Sequence, residues 1–333
     1  MADLERDRGA AGRPRVSVLL PAWNAEATLP AALMSVMRQT ETRWECIVVD
    51  DGSRDTTLDI ARRFAARDAR IRVLELPHRG LVPALRAGLE ACRGRTVARM
   101  DADDLMHRER LRAQLAWLRA HPDLGAVGCH VRLFPRARLR EGLREYERWL
   151  NAIDSPERVR REAFVECPVA HPTLAIRRAL LETFGYRDRG WPEDYDLVLR
   201  LLGAGHAIGV VPRRLVAWRD RAERLSRTSD RYAIERFTAC KAEFLAAGFL
   251  AGSERYVLWG YGGTGKALRR ALLAHGRRPA HIVELHPGRL GERIHGAPVI
   301  PPHELTRVTR RPVVVSVAGE TARSEIRAEL AAM

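Results

Sequence analysis

Three carboxylates occupy four consecutive positions at Asp101-Ala102-Asp103-Asp104, following the short apolar stretch Thr96-Val97-Ala98 and then Arg99-Met100. Acids so close repel one another, and a stable fold needs positive charge among them. A hard divalent cation, Mg²⁺ or Mn²⁺, suits such a cluster, because it takes one or two carboxylates and completes its shell with phosphate oxygens and water. The same run would also serve as a solvated acidic turn capping the next helix. Two more acidic pairs stand elsewhere. Asp50-Asp51 closes an apolar run before Gly52-Ser53, and Glu193-Asp194 precedes the apolar-periodic stretch Tyr195 to Leu202. A carboxylate within reach of a hydroxyl can take its proton during attack, and a metal site can stabilise an anionic leaving group. Glu193-Asp194 also fits ordinary acids of a helix N-terminus.

The elements that must position these acids alternate. Val16 to Leu20 reads as a buried strand closed by Pro21-Ala22-Trp23-Asn24, and Thr28 to Gln39 as a helix. Trp44 to Val49 is a second strand, Thr56 to Ala66 a helix, Ile71 to Leu76 a third strand, and Leu81 to Ala91 a helix leading to Thr96. This alternation predicts a mainly parallel sheet with helices on both faces. Ligands of such sheets sit at the carboxyl ends of the strands, where Asn24, Asp50, Asp51, Asp101 and Asp103 all fall. His107 to Arg119 is read as an amphipathic helix and Ala126 to Leu133 as a strand. Phe134 to Glu162 is an Arg/Glu-rich helical insertion over the sheet edge, Pro168 to Arg178 has strand character, and Ile208 to Val211 is a further strand. Ala222 to Thr228 reads as loop and Tyr232 to Ala247 as helix.

The chain has 333 residues, 46% of them hydrophobic, enough for one large domain and a small one. Neither a membrane-length apolar run nor a signal-peptide core is present, so a cytoplasmic protein is expected, with room for a peripheral position at the inner face of the membrane. The five cysteines are scattered and read as buried reduced thiols. A formal charge of +15 raises nucleic acid as a partner. All but two of the basic residues are arginines, Lys241 and Lys266 being the exceptions, and they are spread along the chain without a focused aromatic-bearing patch. That pattern speaks against nucleic acid and leaves weak attraction to anionic headgroups or substrate phosphates.

Four stretches taken in order, Val18-Leu19-Leu20-Pro21-Ala22-Trp23-Asn24, Ile47 to Ser53, Asp101 to Asp104 and Glu193-Asp194-Tyr195-Asp196-Leu197, resemble the family-2 glycosyltransferases of GT-A fold. The resemblance runs from about Val16 to about Trp218. It implies an inverting transfer of a sugar from a nucleotide-diphosphate donor, a UDP-sugar first of all, to the hydroxyl of a saccharide or lipid-linked acceptor in cell-surface polysaccharide or glycolipid synthesis. By position, Pro21, Ala22 and Asn24 would line the nucleoside pocket, and Asp51 or Asp50 would bond the base. Asp101 and Asp103 match the DXD pair that holds ribose and the diphosphate-bound Mg²⁺ or Mn²⁺, with Ala102 between them and Asp104 in support. Asp194 matches the general base, with Glu193 beside it, and His171 would lie near the acceptor or diphosphate. Arg79 and Trp191 complete the expected donor site. Departures are His78 and Arg86 where the family carries Asn, and no clear His after Val211, which either leaves the metal with fewer protein ligands or makes Arg221 or Arg224 a diphosphate clamp.

A smaller unit follows. Gly260-Tyr261-Gly262-Gly263-Thr264-Gly265 fits the G-x-G-x-x-G pattern between a strand and a helix, with Glu284 further on. It resembles small Rossmann-like units such as the nucleotide-sugar lobe of bacterial sugar acyltransferases. Gly260, Gly262, Gly265 and Glu284 are its candidate nucleotide or phosphate residues, with docking or homodimerisation as the other reading. The expected organisation is a lead-in at 1–14, a GT-A domain at 15–230, a linking helix at 231–251 and a Rossmann-like βαβ domain at 252–333. A non-catalytic nucleotide-sugar-binding or scaffold protein working through that last domain is the alternative.

Overall fold

The computed structural model describes residues 13–221, 224–308 and 310–333, so most of the expected lead-in lies outside the described residues. The chain falls into two compact units, one ending at Arg224 and the other formed by Gly190–Pro192 with Leu225–Met333.

In the first unit, strands β1 (Val16–Ala22), β2 (Trp44–Asp51), β3 (Ile71–Leu76) and β4 (Thr96–Arg99) are joined through the helices Leu29–Met37, Thr57–Arg67 and Leu81–Ala91. β1, β2 and β4 are buried along their whole length. Strands covered on both faces need continuous apolar runs rather than alternation. β5 (Leu105–Met106), β6 (Leu124–Phe134), β7 (Ala175–Arg177) and β8 (Ala207–Arg219) complete an eight-stranded sheet in the order β3-β2-β1-β4-β7-β6-β8-β5. The first four are parallel. β7 runs antiparallel to β4 and β6, β8 parallel to β6, and β5 antiparallel to β8. The sheet is therefore mixed and mainly parallel.

Three local expectations are corrected. The strand character over Pro168–Arg178 narrows to β7, because His171–Thr173 winds into a single 3₁₀ turn around Pro172, which has no N–H for a ladder. β8 extends far beyond Ile208–Val211, passing Pro212 with a register shift against β6. Within the stretch read as loop, Leu225–Thr228 is a short helix, while residues 222 and 223 lie outside the described residues.

The helix Arg110–Ala120 is anchored by a fully buried arginine. Arg110 Nη2 donates to the Arg99 carbonyl at 2.8 Å and Nε to Gln114 Oε1 at 3.0 Å. Gln114 Nε2 in turn donates to the carbonyls of Val127 and Thr173 at 3.0 and 2.7 Å. This network fastens the end of β4, where the acids begin, to β6 and the 171–173 turn.

The second unit has a five-stranded sheet, β11-β12-β10-β9-β13, built from β9 (Arg255–Trp259), β10 (Arg278–Val283), β11 (Arg293–Ile294), β12 (Ala297–Ile300) and β13 (Val313–Val315). β12, β10, β9 and β13 are parallel. Along β9 the side chains alternate, Tyr256 and Leu258 joining one core with Leu268 and Leu272, Val257 and Trp259 joining another with Ile326. The helix Ile234–Ala247 contributes Ala242, Leu245 and Ala246 to the first of these cores, which makes it an integral layer of this unit.

Candidate active site

The carboxyl ends of β1 to β4 lie side by side, with Ala22 opposite Asp50 and Asp51 opposite Leu76. Pro21 and Ala22 are buried at the end of β1. Asp51 is held from the β3 side: its Oδ1 accepts the Arg79 N–H at 2.9 Å, its Oδ2 accepts the Gly80 N–H at 2.8 Å, and His78 Nδ1 lies 2.8 Å from Oδ2. The Trp23 and His78 rings stack with centroids 4.5 Å apart. Asp50 Oδ2 accepts the Ser53 N–H, while its buried Oδ1 has no partner among the described residues. Asn24 sits in the left-handed region at φ 47°, its Oδ1 accepting the Arg54 N–H and its own N–H donating to Ser53 Oγ. Its side chain thus ties the β1 and β2 loops together.

The acids after β4 form the second group. Carboxylate oxygens of Asp101, Asp103 and Asp104 lie within 4.8 Å of one another. Positive charge is supplied by arginines. Arg99 Nη2 donates to Asp101 Oδ1 at 2.6 Å, Arg221 Nε lies 3.1 Å from Asp103 Oδ2, and Arg219 donates its N–H to Asp104 Oδ1 and its Nε to the Asp103 carbonyl, both at 2.7 Å. The extra length of β8 delivers Arg219. Asp104 Oδ2 is nevertheless buried without a partner among the described residues. Burial, then the charges of Asp101 and Asp103, hold the Asp104 carboxyl well above its ordinary range; burial and Asp101 raise Asp103. A cluster of oxygen donors with an orphaned carboxylate oxygen fits a hard divalent cation.

Arg99 links this cluster to a third group. Arg99 is 3% exposed, and its Nε and Nη1 have no hydrogen-bond partner among the described residues. The Arg99 N–H donates to the Leu174 carbonyl, which brings the 171–173 turn beside β4. There His171 Nε2 lies 3.2 Å from Tyr186 Oη, and His171 Nδ1 lies 3.6 Å from Glu193 Oε1. Burial, then the Arg99 charge, push the His171 imidazole well below its usual range, so it is neutral. Glu193 and Asp194 open the helix Glu193–Gly203. Asp194 is half-buried, accepts the Tyr195 N–H at 2.8 Å, and is pushed up to about 7 by burial and then by the neighbouring Glu193 charge.

Asp101, Asp103 and Asp104 are thus together, and Arg99 stands between them and His171 with Glu193. Asn24, Asp50, Asp51 and Arg79 gather at the neighbouring strand ends. Trp191 belongs to the second unit, as do Gly260, Gly262, Gly265 and Glu284. At the glycine-rich turn, a Cβ on Gly265 would run into the Gly260 carbonyl, and Glu284 Oε1 accepts the Tyr261 N–H at 2.9 Å and Arg289 Nη1 at 3.0 Å. The roles of Arg99 and Tyr186 were missed in the sequence. An arginine two positions ahead of the first of three acids was the available signal for the first; Tyr186 offered none.

An α/β sheet of this order with an acid cluster at its carboxyl edge is the architecture of nucleotide-sugar transferases of GT-A fold. Residues 17–185 match the model of glycosyl transferase family 2. The "putative glycosyltransferase EpsE" of Bacillus subtilis (strain 168) is 30% identical over 238 residues, 68% of this chain and 82% of EpsE. The amylovoran biosynthesis glycosyltransferase AmsE of Erwinia amylovora is 30% identical over 200 residues, 59% of this chain and 73% of AmsE. Among solved structures, S. aureus TarS 1–349 in complex with UDP-GlcNAc superposes with a TM-score of 0.55 at 18% identity, covering 78% of this chain and 72% of that one. The mannosyltransferase PcManGT of Pyrobaculum calidifontis, in complex with GDP-Man and Mn²⁺, gives 0.51 at 22% identity, covering 80% and 70%. The chain belongs to glycosyl transferase family 2, and it is a glycosyltransferase. Among the described residues no helix is long and apolar enough to cross a membrane.

Proposed function

We propose that the first unit transfers a sugar, with inversion, from a nucleotide-diphosphate donor to an acceptor hydroxyl, using a divalent cation held by Asp101 and Asp103. The observation that carries this reading is the gathering of three carboxylates, one with an orphaned buried oxygen, on the edge where the Asp50-Asp51 pair also stands, with Glu193 linked to them through Arg99 and His171. A bound Mg²⁺ or Mn²⁺ would supply Lewis-acid stabilisation of the diphosphate leaving group. Pro21, Ala22, Asn24, Asp50, Asp51 and Arg79 hold the nucleoside, Asp51 through a carboxylate already fixed by two backbone N–H groups. Arg221 steadies the Asp103 carboxylate and clamps the diphosphate. Asp194 accepts the acceptor hydroxyl's proton, its raised pKa matching the work of a base near neutral pH. His171, kept neutral, orients Glu193 and the acceptor side of the site.

The donor is read as a UDP-sugar, in keeping with the UDP-GlcNAc complex of TarS, and the acceptor as a growing cell-surface saccharide, in keeping with the naming of AmsE. The second unit serves as a docking module, since its glycine turn is occupied with packing. Transfer assays on Asp103→Ala and Asp194→Asn, with the product anomer read by NMR, test the proposal. Loss of transfer in both and inversion in the wild type are expected; transfer surviving both substitutions would refute it.

A further inference from the structure

At the opposite edge of the first unit's sheet, where β1, β2 and β3 begin, an open cavity of about 490 Å³ is ringed by Arg13, Arg43, Arg70, Arg72 and Arg93 over Trp44. Its distance from the acids is topological: the strands are parallel, so their amino ends face away from the carboxyl edge. We propose that this cavity is a second site, taking a phosphate-bearing anion.

Not all of its charge is spent inside the protein. Arg70 places its fork on Asp68, Nε to Oδ1 at 3.0 Å and Nη2 to Oδ2 at 2.7 Å, and stacks over the Trp44 ring at 3.9 Å. Arg72 reaches Glu45 Oε2 at 3.2 Å and the Ala91 carbonyl at 2.9 Å. Arg43 Nη2 donates to the Arg13 carbonyl, and Glu41 accepts the Arg43 N–H. Arg13 and Arg93 are exposed, and their guanidinium groups have no partner among the described residues. Arg43, Arg70 and Arg72 are thus engaged within the protein, and among the described residues it is the guanidinium groups of Arg13 and Arg93 that are left to the cavity. The indole Nε1 of Trp44 is an independent sign of a missing acceptor: the residue is 2% exposed, lines the cavity, and its N–H has no partner among the described residues. A buried donor without an acceptor is costly. A single guanidinium fork satisfies a carboxylate, whereas a phosphate group, free or esterified, brings negative charge and several acceptor oxygens to share among forks and an indole N–H.

The phosphate could be free or carried on a lipid headgroup, and one set of measurements separates the two. Inorganic phosphate is titrated into metal-free protein while the Trp44 indole N–H resonance is followed, assigned through Trp44→Phe. Parallel sedimentation uses phosphatidylcholine vesicles with and without phosphatidylglycerol. The test variant is Arg13→Glu/Arg93→Glu, and Arg63→Glu/Arg67→Glu is the control of equal charge change on exposed residues outside the cavity. A saturable Trp44 shift that weakens roughly tenfold or more in the test variant alone is expected. If the test variant alone also loses the phosphatidylglycerol vesicles, the headgroup is the source; if all three proteins sediment alike, free phosphate is. Loss of vesicles by the test variant alone supports the headgroup even without a phosphate shift. A shift that survives in the test variant, losses equal in the control variant, or no response in either measurement would overturn the site.

Discussion

Arg99 and Asp101 form a 2.6 Å ion pair at the end of β4, with the guanidinium almost wholly buried and two of its nitrogens without partners. The pair supplies part of the positive charge that three adjacent acids demand. Replacing Arg99 by Met strands Asp101 beside Asp103 and Asp104. The expected result is a loss of about 1–3 kcal/mol of stability, the usual scale for leaving a buried partner unsatisfied. Added Mn²⁺ should raise the unfolding midpoint of this variant more than that of the wild type, because an extra negative charge then awaits it. Equal midpoints, with equal response to Mn²⁺, would remove Arg99 from the account.

Asp194 carries a pH signature. Burial and Glu193 push its carboxyl up to about 7, and a base works only when deprotonated, so kcat should rise from pH 6 to pH 8. Asp194→Asn should lower kcat by roughly 10²–10⁴-fold, the range for loss of a general base, with the nucleotide affinity retained. Stability moves the other way. The folded carboxyl keeps its proton while the unfolded one ionises from its ordinary value, so this residue costs stability as pH rises from about 4 to 7. Denaturant midpoints should show Asp194→Asn more stable than the wild type above pH 7, and a variant with the wild-type slope would contradict the shift.

His171 gives the opposite slope. Burial and Arg99 keep it neutral in the fold, whereas the unfolded chain protonates it below about 6.5. Its contribution is intact above that pH and is lost as pH falls. His171→Gln should therefore flatten the acid side of the stability profile, measured by urea unfolding between pH 7 and pH 5. An unchanged acid limb would mean that His171 is protonated in the folded protein.

Gly52 follows the Asp50-Asp51 pair with φ 67°, and a Cβ there would sit 2.5 Å from the His78 backbone nitrogen. Gly52→Ala combines left-handed strain with a backbone clash, worth about 1–3 kcal/mol. The displaced His78-Arg79-Gly80 segment would loosen its grip on Asp51. A higher KM for the donor with little change in kcat is expected, and an unaltered KM would separate Asp51 from donor binding.

The parallel half of the sheet was legible because strands buried on both faces write themselves as Val18-Leu19-Leu20 or Ile47-Val48-Val49, and the acids terminate those runs in plain view. The reversed half was less so. β7 is three residues long and its register is set by β4 and β6, which no local pattern encodes. The continuation of β8 past Pro212 depends on pairing with β6 and carries Arg219 to Asp104, so the partner of that acid lies 115 positions away. Arg110, within the stretch read as an amphipathic helix, is fully buried, because the Arg99 carbonyl and Gln114 satisfy it. The approach of His171 to Glu193 joins a single 3₁₀ turn to the first residue of a helix and left no trace in either.

The most direct test of the central claim is calorimetric titration of UDP into wild-type protein and into Asp101→Asn/Asp103→Asn, each with and without Mn²⁺. If the acids after β4 bind the cation that receives the diphosphate, Mn²⁺ should strengthen UDP binding to the wild type by at least roughly tenfold, or about 1.4 kcal/mol, and leave the double variant unaffected. Metal-enhanced binding that persists without both carboxylates would contradict the account.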